Sequence, residues 1–213
     1  MMTDDYITRT LNAYENDPEK YERATADIIP QEDIDEFVNR LPENDLPVLD
    51  AGCAFGRDSW QFAQRGLRVI GIDMSDALLK RAKELYPGIT FKKMDVRNLE
   101  LSDESVKGIW CHATLLHLKD DDIRKALREF WRVLVPGGAV FVSFKEGTGD
   151  EEFVEKFSSN SARYFNYQTV ETVRSLLEEN GLAITKIYTF NERERFGGNL
   201  RDLNWVYCFG SKA

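Results

Sequence analysis

Short apolar segments alternate with segments of helical periodicity along most of this chain. The first pair is LPVLDAG at 46–52, which has the length of a buried strand, and RDSWQFAQRG, a helical segment that ends at Gly66. Further strand-like segments lie at 67–73, 89–95, 107–112 and 139–144. Strands that alternate with helices form a parallel sheet covered on both faces. The alternation therefore predicts an α/β fold with a doubly wound, mostly parallel sheet.

Capping and turn residues predict where the helices begin and end. Ser75 is a typical N-cap, and Leu78, Leu79, Ala82 and Leu85 follow it at helical spacing. The segment 120–135 has one apolar stripe and is expected to end at VPGG, ahead of the strand AVFVSF. A last helix is predicted over 169–180, with Gly181 as its cap, and late strands over 183–190 and 205–211.

The composition narrows the classes of function. The formal net charge of −9 disfavours nucleic acid as a partner, because a phosphate backbone would be repelled. Cys53, Cys111 and Cys208 are widely spaced and include no C-x-x-C pair, so neither a disulfide framework nor a metal site is expected. The chain has no apolar run of about 18 residues, and its polar start lacks a signal peptide. We therefore expect a soluble cytoplasmic protein with reduced thiols and no membrane partner.

The loop after the first strand points to the kind of ligand. Gly52 and Gly56 allow a sharp turn and let a ligand approach without meeting a Cβ. The loop reads Gly52-Cys53-Ala54-Phe55-Gly56, so it matches neither the G-x-G-x-x-G of a dinucleotide site nor a phosphate-binding P-loop. Asp50, at the end of the strand, would sit poorly beside a pyrophosphate. A ligand without phosphates and with a positive centre fits this loop better.

Carboxylates end three successive strands. Asp73 closes the second strand, near the place where an acidic residue binds ribose hydroxyls in nucleotide-binding sheets. Asp95 closes the third, and Asp50 the first. In an open parallel sheet, ligands bind beyond the carboxyl ends of the strands. The three carboxylates and the glycine loop together predict one ligand site at that edge.

These motifs resemble those of class I S-adenosylmethionine-dependent methyltransferases. The resemblance runs through VLDAGCAFGRDS, GIDMS, MDVRNL, IWCHATLLHL and RVLVPGGAVFVS, which together cover nearly the whole chain. It implies a Rossmann-like, seven-stranded sheet with helices on both faces and an N-terminal helical cap. It implies one methyltransferase domain over 1–213, with the cap at 1–44, the cofactor-binding core at 45–145, and a lid segment and C-terminal strands at 146–213.

The resemblance also assigns roles around S-adenosyl-L-methionine and its product S-adenosyl-L-homocysteine. Asp50 would order the amino group, Asp73 the ribose hydroxyls, and Asp95 the exocyclic amine of the adenine. The full cofactor set implied is Tyr14, Tyr21, Asp50, Ala51, Gly52, Cys53, Gly56, Arg57, Asp58, Asp73, Met74, Ser75, Met94, Asp95, Val96, His112, Ala113 and His117. Ala54 replaces the family's usual glycine, which the loop tolerates if its φ stays below zero.

Methyl transfer needs little from side chains. It is an in-line displacement, so positioning and exclusion of water supply most of the acceleration, and a base is needed only where the acceptor must lose a proton. His112, at the end of the fourth strand, is the candidate catalytic residue. His117 is better explained as a structural hydrogen-bonding residue than as a base. The acidic triplet 120–122 is explained as a helix N-terminus rather than a metal site.

The acceptor is expected to be a small molecule. Lys145, Arg163 and Tyr164 are the predicted acceptor-binding residues, because they follow the fifth strand or lie in the long segment 145–169 that could cover the site. Such cations suit a carboxylate or phosphate, although they could instead pair with nearby glutamates at the surface.

Three alternatives remain open from the sequence. A methyltransferase that acts on wobble uridine in tRNA resembles the C-terminal part, where Arg193, Arg195 and Arg201 are grouped. A nicotinamide-dependent oxidoreductase would share the sheet. A non-catalytic module could keep the fold and bind the cofactor without transferring the methyl group.

Overall fold

The computed structural model describes residues 5–154, 161–197 and 200–213. The strands are β1 (Val48–Ala51), β2 (Val69–Asp73), β3 (Thr90–Lys93), β4 (Val106–Cys111), β5 (Leu134–Lys145), β6 (Asp150–Phe153), β7 (Arg163–Asn166), β8 (Leu182–Asn191) and β9 (Asn204–Lys212). The helices are α1 (Asp5–Glu15), α2 (Pro18–Thr25), α3 (Gln31–Val38), α4 (Arg57–Gln64), α5 (Asp76–Leu85), α6 (Asp120–Val133), α7 (Val170–Glu179) and α8 (Glu192–Phe196), with a 3₁₀ helix at Leu115–His117.

Seven strands form one twisted sheet in the order β3-β2-β1-β4-β5-β9-β8. The pairs among β1 to β5 are parallel, whereas β9 runs antiparallel to both β5 and β8. This mixed sheet confirms the predicted fold class. The order of strands reverses between β1 and β4, so the carboxyl ends of these two strands open a crevice where sheets of this kind bind ligands.

The centre of the sheet is buried on both faces, as expected when helices cover a parallel sheet. Every residue of β1 is buried, and Trp110 of β4 stacks on Phe141 of β5 with ring centroids 3.9 Å apart. The predicted caps are in place, since Ser75 accepts a hydrogen bond from the N–H of Leu78, and Gly181 has a φ of +77° after α7. Local caps and central packing therefore agree with the sequence pattern.

The predicted break between α6 and β5 is wrong in position. Strand β5 begins at Leu134, directly after the helix, because Leu134 pairs with Val106. The ladder then resumes at Ala139 opposite Gly108, so VPGG forms an irregularity within the strand. The long segment 145–169 contains the hairpin of β6 and β7, and its residues 155–160 lie outside the described part.

The N-terminal helices pack against the carboxyl edge of the sheet. The Glu15 carboxylate, at the end of α1, accepts hydrogen bonds from the N–H groups of Asp76 and Ala77 at the start of α5 (2.6 and 3.1 Å). Negative charge is favourable at a helix N-terminus, so this contact holds α1 in place. Arg81 of α5 also pairs with Glu22 of α2 at 2.6 Å.

The described residues were compared with two predictions, one on membrane-spanning helices and one on the cysteine thiols. None of the helices in 5–154, 161–197 and 200–213 combines the length and the apolar character needed to cross a membrane. Cys53, Cys111 and Cys208 are buried and form no disulfide. Burial raises the pKa of the Cys208 thiol to about 12.

Candidate active site

The turn between β1 and α4 is shaped by two hydrogen bonds to one carbonyl. The N–H groups of Gly52 and Cys53 both donate to the carbonyl oxygen of Ile72, at 2.8 and 2.9 Å. Gly52 has a φ of +84°, and a Cβ on it would lie 2.0 Å from Oγ1 of Thr114. Glycine is therefore required there both for the backbone angle and for the close approach of the β4 loop.

Ala54 departs from the expectation for this loop. Its φ is +48°, in the left-handed region, and not below zero as the sequence analysis expects. The Ala54 N–H donates to Oδ2 of Asp73 at 2.9 Å. A non-glycine residue in this region is strained by roughly 1–2 kcal/mol, and a charge-assisted hydrogen bond is strong enough to offset that cost.

Asp73 is oriented by backbone donors on both of its oxygens. Oδ2 accepts from Ala54, and Oδ1 accepts from the N–H of Ser75 at 2.8 Å. Burial raises the pKa of the Asp73 carboxyl, and the two backbone hydrogen bonds act against that rise. Each carboxylate oxygen has two lone pairs, so each can accept one further hydrogen bond from a ligand hydroxyl.

Asp73 borders a cavity of about 810 Å³ of empty space, called here the Asp73 cavity. Its lining contains eleven of the predicted cofactor residues: Tyr14, Tyr21, Gly52, Asp73, Met74, Met94, Asp95, Val96, His112, Ala113 and His117. Ile7 and Leu11 of α1 add apolar surface. The Asp95 carboxylate is shared with Arg97, whose Nη2 donates at 2.6 Å. The cavity is thus polar at Asp73 and largely apolar around Met74.

A second cavity, called here the Lys145 cavity, has about 870 Å³ of empty space. It is bordered by Asp50, Cys53, Arg57 and Asp58, which do not line the Asp73 cavity. The two cavities share Tyr14, Tyr21, Gly52, Ala54, His112, Ala113 and His117. Three predicted cofactor residues, Ala51, Gly56 and Ser75, line neither of them. The cavities meet at the glycine loop and the carboxyl end of β4.

Lys145 and Arg163 both lie in the wall of the Lys145 cavity. The sequence predicts that the two residues lie in one wall. Both are buried, and Nζ of Lys145 lies 3.5 Å from the ring centroid of Phe165. Burial, with Arg201 and Arg163 nearby, lowers the pKa of Lys145 to about 6. Nη1 of Arg163 donates to the Tyr14 hydroxyl at 2.8 Å. This wall therefore combines the Arg163 guanidinium with aromatic faces, and burial favours the neutral amine of Lys145.

The structure does not bring the Tyr164 side chain to either cavity, which corrects its predicted place in the acceptor wall. Side chains alternate along a strand, so Arg163 and Phe165 of β7 face the Lys145 cavity and Tyr164 faces away. The Tyr164 ring packs on Tyr6 of α1 with centroids 4.7 Å apart. Phe165 occupies the position in the wall that the sequence analysis gives to Tyr164.

His117 is held between two partners at the junction of the cavities. Its Nδ1–H donates to the carbonyl oxygen of Tyr164 at 2.7 Å, and its Nε2 accepts from the Tyr14 hydroxyl at 2.8 Å. Burial and the charge of Arg163 lower the pKa of His117 to about 3. The imidazole is therefore neutral, with both nitrogens engaged.

Two buried carboxylates lie side by side under the glycine loop. Asp58 accepts hydrogen bonds from Nε of Arg57 (2.7 Å), Nε1 of Trp110 (2.9 Å) and Nδ1 of His112 (3.0 Å). Burial alone would raise the pKa of Asp58, but Arg57 and His112 hold it below its usual range. Burial and the neighbouring Asp58 charge raise the pKa of Asp50. Asp58 therefore keeps its negative charge, and Asp50 takes up a proton more readily than an exposed aspartate does.

The C-terminal segment supplies wall residues that sequence reasoning missed: Glu192, Phe196, Trp205 and Tyr207, together with Arg201. Nε and Nη2 of Arg201 bond to the Glu192 carboxylate at 3.1 and 2.9 Å, and Nε1 of Trp205 donates to the same carboxylate. The pairing of β9 with β5 places Trp205 opposite Lys145. The only signal in the sequence is the late strand pattern, which does not say which strand it will pair with.

Residues 48–138 match the family model of a methyltransferase domain. The chain carries a class I S-adenosylmethionine-dependent methyltransferase domain. The matched range of this methyltransferase domain begins with β1, includes the glycine loop and Asp73, and ends within β5. The resemblance to the family and S-adenosylmethionine as the cofactor are thereby confirmed, and a nicotinamide-dependent oxidoreductase is not supported.

Curated proteins similar to this chain are also named methyltransferases. An O-methyltransferase of malonyl-acyl-carrier protein from Pectobacterium atrosepticum is 34% identical over 107 residues, which cover 50% of this chain and 42% of the relative. A ubiquinone biosynthesis O-methyltransferase from Pseudomonas fluorescens is 35% identical over 115 residues, which cover 52% and 47%. The chain thus spans less than half the length of these curated relatives.

A solved structure shares the fold over most of the chain. The S-adenosylmethionine-dependent methyltransferase from Methanosarcina mazei superimposes with a TM-score of 0.72 and is 20% identical, and 83% of this chain and 96% of that one are covered. Clusters of three or more His, Cys, Asp or Glu side chains that could hold a metal do not occur among the residues described.

We predict that Gly52→Ala lowers the free energy of unfolding by roughly 1–3 kcal/mol more than Gly66→Ala does. Both glycines have positive φ (+84° and +77°), so both variants carry the backbone strain. A Cβ on Gly52 meets Thr114, whereas a Cβ on Gly66 meets nothing within 4 Å. Urea unfolding of the two variants separates the clash from the strain. Equal losses would contradict the close approach of the two loops.

We predict that Asp73→Ala weakens binding of S-adenosylhomocysteine at least tenfold. Hydrogen bonds to a carboxylate contribute about 1.5–3 kcal/mol each, and tenfold corresponds to about 1.4 kcal/mol. The matched control is Asp76→Ala, which removes an exposed carboxylate at the start of α5 that pairs with Lys93. Calorimetric titration should show the control within twofold of the wild type. Near-native affinity of the Asp73 variant would place the ribose elsewhere.

Proposed function

We propose that this protein transfers a methyl group from S-adenosylmethionine to a small-molecule acceptor bound in the Lys145 cavity. The observation that carries the proposal is the junction of the two cavities at Gly52 and the end of β4. A cofactor in the Asp73 cavity would direct its methyl group through this junction. Walls from α1, α2, β7 and β9 surround the Lys145 cavity, so water can be excluded during transfer.

The residues of the Asp73 cavity fit the cofactor. The glycine loop borders the cavity at Gly52, where the methionine part would lie, and Asp73 has lone pairs for both ribose hydroxyls. Met74 and Met94 offer apolar surface for the adenine, with Asp95 and Val96 at its edge. When bound, S-adenosylmethionine supplies a methyl group activated by the adjacent sulfonium.

Asp50 and the two cap tyrosines complete the proposed cofactor site. The carboxyl of Asp50 lies under the loop and accepts a hydrogen bond from the Ser59 hydroxyl at 2.6 Å. An ammonium group beside it would favour its ionised form, so the amino group of the cofactor would lower the raised pKa of Asp50. Tyr14 and Tyr21 meet edge to face, with centroids 5.1 Å apart, where the cavities join. Their position suits closure over the sulfonium.

An anionic acceptor is supported by the charges of the Lys145 cavity. Arg163 is buried there, and a guanidinium binds a carboxylate with two parallel hydrogen bonds. Lys145 borders the same space, and an anion beside it would favour its charged form. Arg201 borders the space too, but its charge is paired with Glu192. The rings of Phe165 and Trp205 add flat apolar surface, which suits an acceptor that has an unsaturated or aromatic part. The two relatives described above are named O-methyltransferases, whereas another relative, from Triticum aestivum, is named a phosphoethanolamine N-methyltransferase, so both oxygen and nitrogen are candidate acceptor atoms.

The late arginines support a small molecule over tRNA. Arg193 pairs with Asp202 at 3.2 Å, and Arg195 pairs with Asp33 at 2.7 Å. Arg201 is bound to Glu192 and borders the cavity. A phosphate backbone is bound by a positively charged surface, whereas each of these charges faces a carboxylate. Their grouping in sequence therefore does not amount to a basic surface.

We predict that S-adenosylhomocysteine raises the melting temperature and that NADH does not. A ligand at a hundred times its dissociation constant adds about 2.7 kcal/mol to the stability of the folded state. With radiolabelled S-adenosylmethionine and a pool of small metabolites, label should pass to a compound of low mass. Label on tRNA instead would replace the small acceptor. Cofactor binding without transfer to either pool would indicate a non-catalytic module.

We predict that Arg163→Met lowers kcat/KM for the identified acceptor at least tenfold and changes the affinity for S-adenosylhomocysteine by less than twofold. Arg163 lies in the wall of the Lys145 cavity and outside the lining of the Asp73 cavity. Arg193→Met is the control, because it removes an exposed arginine paired with Asp202. Unchanged turnover, or loss of cofactor affinity, would remove Arg163 from the acceptor site.

A further inference from the structure

A continuous line of hydrogen bonds runs from Asp58 to the wall of the Lys145 cavity. Oδ2 of Asp58 bonds to Nδ1 of His112 at 3.0 Å, and Nε2 of His112 bonds to the hydroxyl of Tyr207 at 2.8 Å. All three residues border the cavity. They come from α4, from the residue after β4, and from β9, so the line depends on the tertiary fold.

The chemistry of Asp58 fixes the direction of this line. An ionised carboxylate only accepts hydrogen bonds, so Nδ1 of His112 must carry a hydrogen and donate it. Nη2 of Arg57 also lies 3.3 Å from Nδ1, but a lone pair there would face the nearer negative carboxylate. When the imidazole is neutral, its lone pair therefore lies on Nε2, which accepts from the O–H of Tyr207.

We propose that Tyr207 is a catalytic residue that takes a proton from the methyl acceptor and passes its own proton to His112. The inference rests on the proposed methyl transfer and extends it to residues outside the family-matched range. His112 is covered on Nε2 by the Tyr207 hydroxyl, so a proton from the cavity reaches the imidazole through that hydroxyl. Asp58 stabilises the imidazolium that results, as the buried aspartate does in a hydrolase triad.

The proposed step is balanced in protons and electrons. The bond between the acceptor atom and its hydrogen breaks, and that hydrogen joins the Tyr207 oxygen while the tyrosine's own hydrogen moves to Nε2 of His112. The electron pair left on the acceptor atom forms the bond to the methyl carbon. The pair of the breaking carbon–sulfur bond stays on sulfur, which gives neutral S-adenosylhomocysteine. After the product departs, the proton on Nε2 of His112 returns to the Tyr207 oxygen, and the hydrogen that this oxygen carries leaves to water in the cavity.

The surroundings of Tyr207 suit a shuttle better than a permanent phenolate. Its side chain is 1% exposed, and burial raises the pKa of its hydroxyl well above the usual value. The hydroxyl therefore stays protonated until His112 accepts its hydrogen as the acceptor gives one up. This arrangement selects acceptors whose reacting atom carries a hydrogen at neutral pH, such as a hydroxyl or an N–H group. A carboxylate, a thioether or a tertiary amine gains nothing from it.

The first test measures which nitrogen of His112 carries the hydrogen, and it needs no methyl acceptor. The chain has two histidines, so long-range ¹H–¹⁵N spectra contain two imidazoles, and His117→Asn identifies the His112 signals. At neutral pH we expect His112 as the Nδ1–H tautomer, with an Nε2 resonance that shifts in Tyr207→Phe. The Nε2–H tautomer in the wild type would overturn the proposal, because that nitrogen could not then accept a proton.

The second test uses Tyr207→Phe against the matched control Tyr188→Phe. Tyr188 lies opposite Tyr207 on the neighbouring strand, and its hydroxyl donates to Asp33, outside the Lys145 cavity. With the acceptor found in the labelled pool, we expect Tyr207→Phe to lower kcat at least a hundredfold. KM and the affinity for S-adenosylhomocysteine should stay within threefold, and the control should keep wild-type kcat.

The outcomes of the second test separate the two proposals. Equal kcat in Tyr207→Phe and Tyr188→Phe would overturn the role of Tyr207 and leave methyl transfer standing. A wild type that binds S-adenosylhomocysteine but labels no compound would overturn the proposed function, and the role of Tyr207 with it. The tautomer measurement needs only the folded wild type, so it decides the direction of the line even where a variant is unstable.

Discussion

The Asp58 carboxylate has almost no access to water, so the protein itself must meet its charge. The donors come from Arg57 next to it in α4, from Trp110 inside β4, and from His112 after that strand. Removing one partner of a buried charge costs roughly 3–5 kcal/mol, so all three donors are constrained to keep their geometry. The start of α4 is thereby fixed relative to β4. This also fixes where the glycine loop between β1 and α4 ends.

The same charge decides the state of its neighbours. A second ionised carboxylate close by is disfavoured, and together with burial this raises the pKa of Asp50. Through His112 the influence of Asp58 reaches Tyr207 of β9, which is the strand that also carries Trp205. The buried Asp58 carboxylate is thus connected by hydrogen bonds through His112 to Tyr207, in the wall of the Lys145 cavity that β9 supplies.

Local sequence patterns were sufficient to predict Gly52 and Asp73 of the proposed cofactor site. Gly52 and Asp73 could be found from sequence because the loop and the strand end that position them are contiguous with short, recognisable segments. The acceptor side could not, since Trp205 and Tyr207 enter it only through the antiparallel insertion of β9 between β5 and β8. Pairing between strands distant in sequence leaves no periodic trace in either strand.

Two particular residues show how tertiary contacts override local expectation. Ala54 adopts a positive φ because its N–H is drawn to Asp73, a preference that no local propensity scale contains. Tyr164 is turned away from the cavity by the register of the hairpin, in which it lies opposite Glu152. In such a hairpin, a shift of one residue exchanges the two faces, and sequence alone does not fix that shift.

The residues that line the Lys145 cavity come from two parts of the chain, the range matched by the family model and the segments that flank it. Asp50, Asp58 and His112 belong to the range shared with the methyltransferase family, whereas Tyr14 lies before that range and Tyr207 after it. Substitutions in the flanking segments reshape the space for the acceptor and leave the bonds of the glycine loop in place. Selectivity and cofactor use are therefore separable in inheritance, and the terminal segments are the natural units to exchange between relatives when a new acceptor is wanted.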